Sequence, residues 1–170
     1  MRTISIAVVL VVCWAAAASA QQPAAPAAPP VAALKTFCSS TDVQALLAKA
    51  KSEHKDGQAI VAERVVQLAP YNANLEYRAS VGPAAVHEKE AELMYVLEGS
   101  GTITTGGTLV NPTHTNPANL TGTAIDGGSP QKIAKGDFIF IPENTPHWIN
   151  TIDGTITLIS LHVPRPVPGS

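Results

Sequence analysis

The chain of 170 residues is short of cysteine, of clustered basic charge and, beyond its first residues, of long hydrophobic runs. Two cysteines cannot build the disulfide framework on which small exported domains often rely. Eleven basic residues against thirteen acidic ones give a net charge of −2, with no Lys/Arg cluster. Phosphate tracking needs such clusters, so nucleic acid is excluded as a partner. No stretch after the N-terminus stays apolar for about 18 residues, and no internal membrane span is expected. Repeats longer than a turn are also missing. What is present is a 45% hydrophobic content, much of it Ala and Val in the first 34 positions. The remaining stretch of about 135 residues is one domain's worth and can bury a core unaided.

The two ends differ from the body. Arg2, the apolar run Ile4 to Trp14 and the small residues Ala18-Ser19-Ala20 read as a secretory signal cleaved after Ala20. A retained N-terminal anchor is the competing reading. Cleavage removes Arg2 and no acid, leaving 10 basic and 13 acidic residues, a net of −3. The expected location is secreted or periplasmic, with no membrane attachment after removal. Cys13 leaves with the signal, so Cys38 stays as a lone thiol, read as a small hydrophobe. Residues 21–33, Pro/Ala-rich throughout, form a linker of extended character. The folded domain is expected over 34–164 and a Pro-rich tail over 165–170.

Within the body one segment has helical spacing. Ser40 or Thr41 can cap it, Val43, Leu46, Leu47 and Ala50 make its apolar face, and Gly57 stops it. His54 falls on its polar, Lys-rich side. From Ala59 the period changes to two: Leu75, Tyr77, Ala79 and Val81 alternate with polar residues. Further strands are expected over Leu93 to Glu98, Thr102 to Thr105, Phe138 to Ile141, His147 to Ile152 and Thr155 to Val163. Gly99-Ser100-Gly101, Gly106-Gly107 and Asp153-Gly154 read as the turns between them. The polar stretch Asn111 to Ser129, which carries His114, reads as a long loop of the lid or binding kind. Short strands with tight turns and no alternating helices argue an all-β sandwich or barrel with one N-terminal helix.

Three residues carry chemistry. His87 and Glu92 flank the entry to the strand Leu93 to Glu98, and His147 opens another after Pro146. Two imidazoles and a carboxylate on one wall make a metal site with open positions. In addition, residues 82–99 (GPAAVHEKEAELMYVLEG) and 136–150 (GDFIFIPENTPHWIN) resemble the two motifs of the cupin superfamily, in its small single-domain, type-2-like form. Glu92, six residues and Gly99 fit the right half of the first motif, and His87 falls on its second histidine. The first histidine would fall on Ala85, which offers no ligand. In the second motif Gly136, Pro142 and His147 match, Asn144 replaces a glycine, and Asn150 comes one position early. Asn tolerates positive φ better than other residues, so that replacement is mild. The resemblance implies a double-stranded β-helix, or jelly-roll barrel, around a central pocket, often dimeric. It implies no particular reaction.

On this reading His87, Glu92 and His147 hold one divalent transition metal, iron, manganese or zinc. A set of two histidines and one carboxylate leaves about three octahedral positions free, which suits non-haem iron. Zinc or manganese in the same set would act as a Lewis acid. His162 shares a strand face with Ile156, Leu158 and Ser160. If that face lines the pocket, it is placed as a general base or substrate partner; otherwise it is a rim histidine. Met94, Val96 and Ile149 are expected to line the pocket, and Tyr95 to face outward. The expected function is an exported metal-binding enzyme acting on a small oxygen-bearing organic molecule, by oxygenase or lyase/isomerase chemistry. The alternative is a non-catalytic exported module that holds a ligand or a metal. Apolar residues on both faces of the central strands call for a cover, and a homodimer through sheet faces is expected.

Overall fold

The computed structural model describes residues 34–165. The expected signal, the linker and residues 166–170 of the tail lie outside the described residues. One helix, α1 (Ser40–Glu53), precedes eleven strands. They are β1 (Ile60–Leu68), β2 (Tyr71–Arg78), β3 (Ala84–His87), β4 (Glu90–Thr105), β5 (Thr108–Val110) and β6 (Thr113–Asn116). After these come β7 (Asn119–Gly122), β8 (Ala124–Asp126), β9 (Ser129–Ala134), β10 (Phe138–Ile141) and β11 (His147–Pro164). All pairings are antiparallel, and nine of the strands form one curled sheet, a half-barrel of the jelly-roll kind. No helix among the described residues is long and apolar enough to cross a membrane.

The frame is a ribbon of two long strands. β4 and β11 run antiparallel from His147 opposite Thr105 to Pro164 opposite Glu90. β2 and β3 extend the sheet beyond β11, while β9 and β10 pair with β4 on its other edge. Here two of the three expected turns are overturned, while Gly106-Gly107 does join β4 to β5. Gly99-Ser100-Gly101 lies inside β4, and Asp153-Gly154 lies inside β11, where the register shifts between Ile152 and Ile156. The extra residues of β11 are absorbed as a bulge, pinned by the Ser100 hydroxyl donating to Asp153 Oδ2 at 2.7 Å. Bulges bend and twist a strand without ending it.

Three other expectations need correction. The strand read to Val81 ends at Arg78, and Val81 is exposed. The stretch Asn111 to Ser129 is not a structureless loop: it contains β6, β7 and β8, because β7 finds a partner in β3. The helix cap is Ser39, one residue earlier than expected. Asp42 stands three residues after it and closes a capping box, which neither Ser40 nor Thr41 makes. At its other end α1 stops at Glu53, and Gly57 follows in the next turn.

Two apolar layers sandwich the ribbon. Inside the curl, Met94, Val96, Ile103, Ile133, Ile139, Ile141, Ile149, Ile156 and Leu158 are packed together. Outside it, Leu47 and Ala50 of α1 cover Val61, Val65, Ala73 and Leu75, with Cys38, Leu97, Ile159 and Leu161 at the margin. Residues 156–161 of β11 therefore meet apolar neighbours on both faces, as their composition suggested. Cys38 is a half-buried free thiol packed on this second layer.

Candidate metal centre

Four side chains converge where the ribbon's two ends meet. His87 ends β3, Glu92 lies near the start of β4, and His147 and His162 lie fifteen positions apart on β11. Fifteen extended residues would span roughly 50 Å. Yet His147 Nε2 is 3.0 Å from Glu92 Oε2, and His162 Nε2 is 3.9 Å from Glu92 Oε1. Curling at the bulges brings both ends of one strand onto one carboxylate. His87 Nε2 completes the group at 3.4 Å from Glu92 Oε2. The structure thus brings together all three residues read as ligands, and His162 with them. His114, by contrast, is exposed on β6, and His54 sits beyond α1, its ring edge-on to Tyr77.

Each imidazole is oriented from behind. His87 Nδ1 is 2.7 Å from Asn119 Oδ1, and the amide nitrogen of Asn119 donates to Asn116 Oδ1. The Asn119 oxygen is therefore the acceptor, and His87 Nδ1 carries the proton. His147 Nδ1 donates to the Thr145 carbonyl at 3.1 Å. His162 Nδ1 faces Glu90 Oε2 at 2.9 Å, an ion-pair distance, though out of line for a hydrogen bond. With Nδ1 of His87 and His147 committed, each of these rings in its neutral form turns the lone pair of Nε2 toward Glu92. Asn144 adds a brace: its φ is 56°, and its N–H donates to the His87 carbonyl at 2.7 Å. The residue that replaces the motif's glycine thus adopts a left-handed conformation, as expected of Asn.

Glu92 is only 3% exposed. Burial favours its neutral form, but the imidazoles of His147 and His87 and the Ser160 hydroxyl beside it outweigh that and hold the carboxyl well below its usual range. Burial likewise works against charge on His87, and the Glu92 carboxylate beside it with the bond to Asn119 more than offsets it, raising the imidazole. Ser160, fully buried, donates from Oγ to Glu92 Oε1. Glu92 Oε2 has no aligned hydrogen-bond partner. A buried anionic oxygen without an aligned donor, ringed by imidazole nitrogens held from behind, is the environment of a divalent cation. Histidine and carboxylate donors suit iron, manganese or zinc without choosing among them.

Space beside His147 is small. A cavity of about 20 Å³ touches Ala85, Met94, His147, Ile149 and Arg78, room for about one water. Met94 and Ile149 line it as expected, whereas Val96 is packed within the core. A hollow of about 660 Å³ beside His54 carries none of the converging side chains.

Three contributors escaped sequence reasoning. Asn119 opens the sequon Asn119-Leu120-Thr121, which gives no hint of its place behind His87. Ser160 was read on the face of His162 but given no role. Glu90, two residues before Glu92, faces His162.

Neither a protein-family model nor a curated protein matches the chain. Solved structures do. The FeII form of HppE is 17% identical over 65% of this chain and 53% of its own, with a TM-score of 0.48; the match spans about half of that protein. A cupin superfamily protein from Desulfitobacterium hafniense is 13% identical over 66% of this chain and 84% of its own, TM-score 0.48. KdgF from Halomonas sp. is 19% identical over 68% and 90%, TM-score 0.48. On this chain's own residues, the two cupin-like motifs meet on Glu92 at the ends of a curled antiparallel half-barrel, the jelly-roll kind of fold that their resemblance implies.

Proposed function

We propose that the chain is an exported metal-dependent enzyme that acts on a small oxygen-bearing organic molecule by oxygenase or lyase/isomerase chemistry. The observation that carries the metal is the convergence on buried Glu92 of imidazoles whose Nδ1 atoms are held from behind. His87, Glu92 and His147 are the proposed ligands of one iron, manganese or zinc ion. When bound, such an ion supplies Lewis acidity or a redox-active site. The chain's own contribution is to fix tautomers through Asn119 and Thr145, to hold Glu92 ionised, and to exclude water with the apolar interior. Export rests on the composition of residues 1–20, and a second copy of the chain is the proposed partner.

Elemental analysis tests the centre. The wild type should carry close to one transition metal per chain, and His147→Ala and Glu92→Gln should lose most of it. Equal metal in all three proteins removes the site. Turnover is tested by incubating metal-loaded and metal-stripped protein with a panel of small hydroxy- and keto-acids and sugars. Consumption that needs the metal supports an enzyme. The cavity of about 20 Å³ favours the second reading, a module that holds a metal without turnover, and metal uptake with no consumption of any compound would select it.

A further inference from the structure

The first cupin-like motif has lost a ligand at Ala85, and the fold places another imidazole at the centre. His162 lies directly across from Glu92 in the β4–β11 ladder. One nitrogen of His162, one of His87 and one oxygen of Glu92 all lie within 4.8 Å of one another. The His162 ring stands edge-on to that of His87, with centroids 4.7 Å apart.

We propose that His162 is a metal ligand, supplied from β11 in place of the histidine that β3 lacks, so that the centre has three histidines and one glutamate. This rests on the metal reading given above and extends it.

Spacing separates a ligand from a base. Donors about 2.1 Å from one ion stand roughly 3 to 4 Å from each other. The Nε2 atoms of His147 and His87 lie 3.0 and 3.4 Å from Glu92 Oε2, and that of His162 lies 3.9 Å from Glu92 Oε1, each within that window. A general base must leave room for a substrate atom between itself and the metal ligands, and 3.9 Å leaves none. The orientation agrees. Nδ1 of His162 faces Glu90 at 2.9 Å, which directs Nε2 toward Glu92. A carboxylate behind a ligating histidine is one of the usual supports of such a ligand. Ser160 spends its one proton on Glu92 Oε1, so its oxygen, 3.4 Å from His162 Nε2, has no second proton to block that nitrogen. Four protein ligands leave about two octahedral positions free instead of about three.

Metal-stripped full chain titrated with Cu(II) provides the test, because pulsed electron paramagnetic resonance counts coordinated imidazoles without any turnover. Wild type should bind one Cu(II) with three imidazoles. His162→Ala should show two, with affinity lowered by more than about tenfold, the least expected when even an outer support is lost. His162→Gln, which keeps a polar side chain of similar length, should show the same count and covers the case in which the alanine variant does not fold. His114→Ala, altered on an exposed strand, should leave count and affinity unchanged. A count of two in wild type that both His162 variants preserve overturns the inference and leaves the metal reading standing. Wild type that takes up no Cu(II), or takes it up equally after Glu92→Gln, overturns both.

Discussion

At Gly99 two strands touch backbone to backbone. A Cβ placed there would lie 2.1 Å from the Thr155 carbonyl oxygen, and the residue's φ is 84°. Left-handed backbone alone costs an L-residue about 1–2 kcal/mol, and the clash comes on top. Gly99→Ala should therefore lower unfolding free energy by more than about 2 kcal/mol in urea denaturation; a loss under half of that would show that the two strands can part without penalty. Single residues at the metal centre differed in how legible they were. His87, Glu92 and His147 were readable because each sits at a fixed offset within a short motif. Ser160 and His162 reach the same carboxylate from about seventy positions away, and only the long ladder of β4 with β11 tells that they arrive. Asn119 gains its role from pairing between β3 and β7, which no local pattern signalled.

Elements follow local rules at their ends and ladder rules in their interiors. At the helix start the rule is local: Ser39 Oγ accepts from the Asp42 N–H at 3.1 Å, and the Asp42 carboxylate accepts from the Ser39 N–H and hydroxyl. Ser39→Ala should cost about 1 kcal/mol, read as a lower urea midpoint at pH 7; equal midpoints would show that the box does not hold the helix. Hydrogen bonds from the Ser39 side chain and backbone lower the Asp42 carboxyl below 3.8. That contribution is full above the unfolded value and is lost as pH falls through the lower folded one. The gap between wild type and variant should accordingly narrow in acid. Strand interiors obey the ladder instead. Asp153-Gly154 has the composition of a hairpin turn, yet β4 holds the chain extended on both sides of it and the surplus becomes a bulge. Turn residues show where a strand bends; the partner strand decides whether it also ends.

For the whole molecule, the remaining question is what covers the outer face of the curl. α1 covers Leu97, Ile159 and Leu161 but not the β10 side. There Phe138 and Phe140 are 68% and 62% exposed. They lie beside half-buried Tyr95 and Leu93, with the Phe138 and Tyr95 rings 4.9 Å apart. β10 pairs with β4 alone, so its other edge is also open. An apolar face and an open edge on one strand are both liabilities in water. A two-fold axis beside β10 would cover both at once, because an antiparallel strand is its own complement under that symmetry. The expected outcome is a dimer in light scattering at micromolar concentration, unchanged by reductant because Cys38 lies on the helix side. Phe138→Ser with Phe140→Ser should shift it toward monomer without altering the circular dichroism of the sheet. The proposed metal centre lies on the inner face of β4, so metal content should survive that change. A wild type that scatters as a monomer would remove the second copy as partner and leave the aromatic face to some other cover.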